Sequence, residues 1–310
     1  MILTTKLKGI FFASLTAFLW GFLAIALKVS LVDLSPVDIT WVRFITAFIL
    51  LTLFYIIFDS SKLRIIKNPP LLLIAAAICL GLNYLGFITG VNYTSPAVAQ
   101  VFIQIGPVLL ALSGFIVYKE KVSILQLSGL IIVVCGLTLF YNEQLSGIVI
   151  EKKIFNTGIM WVIFGGAAWS GYAVIQKKLV QSYPPMQLNI IIFGLPALFY
   201  SPFVSYSKLQ EISPEYWILL MFLGLNTLAA YGSLAMALKY IEANKVSVII
   251  TQNPVITFIT MAILGGLEVS WIAPEHFTLL TIIGAVLVIA GAILTVFTRN
   301  KIHLAGRPGK

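Results

Sequence analysis

Amide side chains recur where lipid-facing helices would carry none. Gln100 and Gln104 stand four residues apart in the stretch VFIQIGPVLLALSGFIVYKEK, and Gln252 adjoins Asn253 in VIITQNPVITFITMAILGGLE. Asn83 and Asn226 sit in the matching contexts GLNYL and GLNTL. Each amide offers a donor pair and an acceptor on an uncharged side chain, so a cluster of them can hold a small polar molecule without burying a charge. The same residues can instead join helices through hydrogen bonds worth about 0.6 kcal/mol apiece. Gln100, Gln104, Gln252 and Asn253 read as cavity groups, whereas Asn83 and Asn226 fit either role.

Two prolines mark the same stretches. A proline lacks an N–H and its ring crowds the preceding turn, so Pro107 is expected to free the carbonyl of Ile103 and Pro254 that of Ile250. Freed carbonyls at membrane depth persist where they line a cavity or are met by neighbouring helices. Pro107 and Pro254 are therefore read as helix breaks or hinges, Pro107 lying about 18 Å from the start of its span at Ser95. Trp20 and Trp169, each about 16 Å deep in a span, are too far in for interfacial anchors. With Tyr84, Tyr172 and Tyr231 they are expected to wall the same cavity.

Charged groups are placed differently. The 11 Asp and Glu residues all fall in loops or near span ends, and both histidines, His276 and His303, are peripheral. A proton or sodium relay normally uses intramembrane carboxylates, so a facilitator or uniporter is the expected mode. Arg43 lies one and a half to two turns into the second span. The preferred reading has it snorkel outward or pair with Asp38, and the other open reading has it bind a substrate carboxylate. Lys28 and Lys177 read as solvated anchors. No catalytic residue, metal site or cofactor is expected, because the carboxylate, histidine or metal cluster that membrane enzymes use is missing at depth.

The elements that position these groups follow from composition. Of 310 residues 60% are hydrophobic and 10% charged, against about a quarter charged in soluble domains. Apolar runs of about 20 residues recur along the chain, each long enough to cross the hydrocarbon core. The expected fold is an all-α polytopic membrane protein with ten spans, at roughly 9–30, 36–58, 70–90, 95–118, 122–141, 157–178, 186–206, 215–239, 244–266 and 276–298. The first run is followed by many like it and lacks a cleavage site, so it is read as a retained span. Cys79 and Cys135 fall inside apolar runs as small core residues.

The chain also repeats itself. Gly9, Trp20, Lys28 and Pro36 return 149 residues later as Gly158, Trp169, Lys177 and Pro185, while Tyr93 and Pro107 return 147 later as Tyr240 and Pro254. Gly129 and Gly136 recur as Gly284 and Gly291, and their small surfaces are expected to pack spans five and ten together. The division is 1–141 for the first five-helix repeat, 142–156 for a connecting loop, 157–298 for the second repeat and 299–310 for a basic tail. Five spans per repeat is an odd number, so the two halves are expected to be inverted. With both termini cytoplasmic, 15 of the 20 Lys and Arg face the cytoplasm, as the positive-inside bias requires. The net charge of +9 then reflects topology and implies no nucleic-acid partner.

The elements NYTSPAVAQVFIQIGPV closing on YKEK, KYIEANKVSVIITQNPV closing on LE, and WVRF at 41–44 resemble the EamA family of drug/metabolite transporters. The resemblance implies a central cavity lined by spans one, three, four, six, eight and nine, in a bacterial inner membrane. It also implies cargoes that are small metabolites, amino acids among them, often moved outward. The expected function is alternating-access transport of small polar metabolites, most simply amino acids, by efflux or facilitated diffusion. A nucleoside-like cargo such as an S-adenosyl compound is the alternative, and a membrane enzyme or scaffold the remote one. The partners are then a small-molecule substrate and the lipid bilayer, with a monomer the simplest assembly.

Overall fold

The computed structural model describes residues 2–118, 124–146, 152–241, 243–275 and 277–296. Lys119, Glu120, Lys121, Glu151, Glu242, His276 and the tail from 299, with His303, lie outside the described residues. The elements in chain order are α1 (Ile2–Ser30), α2 (Pro36–Phe58), α3 (Leu71–Tyr93), α4 (Pro96–Phe102), α5 (Ile105–Tyr118), α6 (Ile124–Ser146), α7 (Lys152–Leu179), α8 (Pro185–Tyr200), α9 (Tyr206–Glu211), α10 (Pro214–Tyr240), α11 (Ala243–Ile250), α12 (Asn253–Gly266) and α13 (Leu279–Val296). Short 3-10 turns occur at Ser60–Ile66 and Ser201–Phe203, and there is no strand among the described residues.

Seven stretches are long and apolar enough to cross a membrane: Thr5–Ser30, Pro36–Phe58, Leu71–Tyr93, Lys152–Leu179, Pro185–Phe203, Pro214–Tyr240 and Lys245–Gly266. Three shorter apolar helices, Pro96–Leu110, Leu127–Asn142 and Leu279–Leu294, occupy the remaining expected positions, so the count of ten is not reached by length alone. The chain is an all-α polytopic membrane protein.

Helix starts follow local chemistry. Proline stands in the first turn of α2, α4, α8 and α10, where its missing N–H would lack a partner anyway. Ser35 and Asp38 form a capping box at α2, and the Ser95 hydroxyl accepts from Val98 N at α4, each satisfying an otherwise orphan donor.

The largest helix interfaces map onto one another when the two halves are exchanged. The largest interfaces join α3 to α7, α1 to α10 and α6 to α13, followed by α2 on α8 and on α10. Swapping halves maps α1–α10 onto α3–α7, maps α2–α10 onto α3–α8, and returns α6–α13 and α2–α8 to themselves. Glycines set the close approaches. A Cβ at Gly86 would stand 2.8 Å from Trp161 O and 2.9 Å from the Gly165 Cα, both backbone atoms of the neighbouring helix. Gly136 would meet Val288 N at 2.8 Å, Gly284 would meet Phe140 N at 2.8 Å, and Gly291 would meet Gly129 O at 2.7 Å. Those four glycines line one α6–α13 seam.

Candidate central cavity

Two of the expected spans are interrupted. α4 ends at Phe102 and α5 begins at Ile105, while α11 ends at Ile250 and α12 begins at Asn253. The breaks fall before the prolines rather than at them. Pro107 and Pro254 each occupy the first turn of the following half-helix, a position suited to a residue without an N–H. The Ile103 carbonyl is not freed as expected, because Gly106 N donates to it at 2.9 Å; a tight turn takes up the acceptor that the proline cannot serve.

The two breaks meet. Gln104 Nε2 donates to Asn253 Oδ1 at 3.1 Å and to Gln100 O at 3.1 Å, which ties the first interruption to the second. Gln100 Nε2 donates to Trp20 O at 2.9 Å. Beside them is a cavity of about 60 Å³ lined by Trp20, Asn83, Gln100, Gln104, Pro107, Trp169 and Asn253, with Leu23, Phe87, Ile103 and Ile250 completing the wall. A water occupies about 30 Å³ of liquid, and ligand pockets start near 300 Å³. The cavity as described has space for about two waters,.

An aromatic layer lies against this cavity. The Trp20 and Trp169 rings meet edge to face at 6.1 Å, Trp20 lies 5.3 Å from Tyr231, and Tyr231 lies 5.7 Å from Tyr172 and 5.5 Å from Tyr84. Tyr231 Oη donates to Asn83 Oδ1 at 3.3 Å, and Asn83 Nδ2 donates to Gly165 O at 2.9 Å. Asn83 thus both joins helices and faces the cavity. Asn226 donates to Leu19 O at 2.9 Å and is outside the lining, as are Tyr84, Tyr172, Tyr231 and Pro254. Gln252 is exposed and away from the cavity, because the turn at Thr251–Gln252 aims its neighbour Asn253 inward instead.

Three buried polar atoms of lining residues have no protein partner, Gln100 Oε1, Gln104 Oε1 and Trp169 Nε1, and neither has Tyr172 Oη behind the lining. Such groups are costly unless water or a ligand serves them. Two are acceptors and two can donate. The lining contains no carboxylate, histidine or lysine, and the described residues contain no group of three or more metal-ligating side chains.

Three charged residues depart from their expected surroundings. Arg43 neither snorkels nor pairs with Asp38. It is 2% exposed, donates from Nε to Thr227 Oγ1 at 3.1 Å, and lies with Cζ 4.1 Å from the Tyr84 ring centroid. Asp38 is held by its own cap, accepting from Ser35 Oγ at 2.7 Å, and by Ser205 N at 2.8 Å. Lys28 and Lys177 are not solvated anchors. Lys28 Nζ donates to the carbonyls of Val91, Asn92 and Thr94 at 3.0, 3.2 and 2.8 Å. Lys177 Nζ donates to Leu238 O at 2.7 Å and Ile241 O at 2.9 Å, the positions that the repeat relates to Val91 and Thr94. Each lysine satisfies the orphan carbonyls at a helix C-terminus and complements its dipole.

Leu23, Phe87, Ile103, Ile250 and Thr227 carry no chemical signal in an apolar sequence. Helical spacing was the available clue: Phe87 is one turn from Asn83, and Ile103 and Pro107 share a face with Gln100 and Gln104.

The EamA-like transporter family model matches twice, over residues 7–142 and 156–297. The chain is 32% identical to an uncharacterized transporter of Haemophilus influenzae, covering 93% of this chain and 94% of that protein. It is 31% identical to the uncharacterized inner membrane transporter YhbE of Escherichia coli, covering 92% and 90%. A Salmonella typhimurium protein named a "probable amino-acid metabolite efflux pump" is 24% identical over 94% of this chain and 95% of its own. One crystal structure shares the fold at a TM-score of 0.64 and 18% identity, covering 94% of this chain and 96% of that one. The double match spans nearly the whole chain and the relatives are covered almost end to end: the protein belongs to the EamA-like transporter family.

Proposed function

We propose that this transporter carries small zwitterionic metabolites, amino acids foremost, across a bacterial inner membrane by alternating access between two inverted halves, near 1–141 and 157–298, with both termini cytoplasmic. The observation that carries the reading is the set of partnerless polar atoms at the cavity. Gln100 Oε1 and Gln104 Oε1 suit an ammonium group, and the Trp169 Nε1 donor suits a polar oxygen of the cargo,. Apolar walls around a few convergent polar groups are the usual composition of a small-molecule site. The name of the Salmonella typhimurium relative agrees with this class of cargo.

A nucleoside-like cargo would need a parallel slot between aromatic faces. Trp20 and Trp169 meet at 79° between ring planes, so no observation favours that cargo. The lining offers no titratable acid or base, and facilitated movement down the cargo's own gradient is the mode consistent with it.

The test is uptake and efflux by the purified chain in proteoliposomes, against a panel of amino acids and nucleosides. Saturable amino-acid flux, reduced at least tenfold by Gln104→Leu in folded protein, is expected. Nucleoside flux with no amino-acid flux would overturn the reading.

A further inference from the structure

Arg43 is a full charge in a place that provides no opposite charge. Among the described residues the only ion pair joins the half-buried Lys62 and the exposed Asp59. Asp38, the acidic residue nearest Arg43 on its own helix, is occupied by Ser35 and the Ser205 amide. The hydroxyls of Thr227 and Tyr84 and the Tyr84 ring are the partners that remain, all of them neutral. The attraction of a cation to an aromatic face is smaller than the cost of taking a guanidinium out of water. A second copy of Thr227 or Tyr84 would not close that gap; an anion would.

We propose that Arg43 is the seat for the substrate's carboxylate, and that the transporter therefore selects carboxylate-bearing amphipathic metabolites over the corresponding esters, amides and amines. This rests on the transport reading above and narrows it. Arg43 lies one aromatic layer from the cavity. Tyr84 covers the guanidinium, Tyr231 lies 5.5 Å from Tyr84, and the Tyr231 hydroxyl is bonded to Asn83, which lines the cavity. When the cavity expands and that tyrosine–asparagine bond gives way, an entering carboxylate meets the guanidinium. Thr227 already engages Nε, so an arriving carboxylate would take the two Nη groups through parallel bonds in place of the neutral Tyr84 hydroxyl,. The substrate's apolar part then remains against Trp20, Tyr231 and Trp169. The charge is neutralised only when cargo is bound, which makes occupancy, rather than a resident acid, the partner of Arg43.

The experiment compares phenylalanine, its methyl ester and phenylalaninamide as probes. Each is measured by proteoliposome uptake and by ligand-dependent shift of the unfolding temperature of the full chain in detergent. In wild type, the acid is expected to be bound and moved about tenfold better than either neutralised analogue. Arg43→Met keeps the length and removes the charge, and should bring the acid-to-ester uptake ratio down about tenfold, to near one; Arg43→Lys should restore part of the preference. If Arg43→Met fails to fold, Arg43→Lys decides, since it keeps the charge and loses the fork: an acid-to-ester ratio equal to that of wild type overturns the seat. Equal handling of acid and ester by wild type, or a tenfold acid preference retained in Arg43→Met, overturns the carboxylate seat. Transport of the ester and amide without preference leaves the transporter reading standing; absence of any flux across acids, esters and nucleosides overturns both.

Discussion

At the scale of single residues, the informative contacts are those an apolar surrounding makes costly to leave unmade. Gln104 is the clearest. Its amide nitrogen serves Gln100 O and Asn253 Oδ1 together, so it joins the two helix interruptions, while its oxygen has no protein partner. One half of the side chain holds the fold and the other half is available to a ligand. Gln104→Leu should leave Asn253 Oδ1 buried without its donor, destabilising the protein by about 1–3 kcal/mol. Because the two residues share one bond, Gln104→Leu with Asn253→Leu should cost less than the sum of the single changes. The coupling expected is about 0.6 kcal/mol, the average for interhelical bonds in membranes. A double-mutant cycle from reversible unfolding in detergent measures it. Additivity within experimental error would mean that the breaks are joined by shape alone.

At the scale of elements, glycines decide which helices can touch. Gly136 would place a Cβ 2.8 Å from Val288 N and 2.9 Å from Gly284 O. Both are backbone atoms and cannot rotate aside, so an added methyl forces α6 and α13 apart. Gly136→Ala is therefore expected to destabilise the protein by about 1–3 kcal/mol, read as a lower unfolding temperature. Gly266, at the end of α12, has nothing within 4 Å of the corresponding position, and Gly266→Ala should leave that temperature nearly unchanged. This seam was legible from sequence because a seven-residue glycine spacing keeps to one face of a helix whatever its neighbours are. The interruptions were legible for a related reason, since Pro107 and Pro254 stand beside amides at positions that the repeat relates. Their register was not. The break falls three residues before Pro107 because Gly106 closes a local turn onto Ile103, and a rule built on one missing N–H does not see the turn. Arg43 was misread on different grounds. Its depth along α2 was available, but its burial depends on Tyr84 of α3 and Thr227 of α10, which no count along one helix reveals. The cavity's apolar lining was equally silent for want of a distinguishing residue type.

At the scale of the whole molecule, one contact joins the loop after α12 to the beginning of a half-helix in the other repeat. Glu275 Oε1 accepts from Ala97 N at 3.1 Å, at the N-terminus of α4, where a carboxylate is favoured by the helix dipole. Ser95 and the ammonium of Lys28 face it from α4 and α1. Burial nevertheless dominates and pushes the Glu275 carboxyl up to about 7, against the opposing pull of Ala97 N–H, Ser95 and Lys28. The sign of the pH effect follows from the comparison with a solvated glutamate near 4.3. The seated group holds its proton more tightly than the released one, so the added stabilisation of the seated contact is complete below about 4.3 and is lost as pH rises through about 7. Raising the pH at this end from 6 to 8 should therefore speed opening there by about tenfold,. Glu275→Gln keeps an acceptor for Ala97 and cannot ionise, and should make opening independent of pH over that range. Cysteine accessibility beside Ala97, followed as a labelling rate at pH 6, 7 and 8 in wild type and Glu275→Gln, checks both statements. A wild-type rate flat across that range, or a slope that persists in Glu275→Gln, would remove Glu275 from control of this end. The same measurement bears on energetics. Glu275 belongs to one end of the molecule and is absent from the cavity lining, so its titration is expected to alter exchange rate without storing gradient energy. Cargo in sealed proteoliposomes under an imposed proton gradient should equilibrate faster or slower with pH at that end, yet stop at equal concentrations on both sides once membrane potential is clamped. Accumulation beyond that point, lost in Glu275→Gln, would make this carboxyl a coupling group and end the facilitated reading.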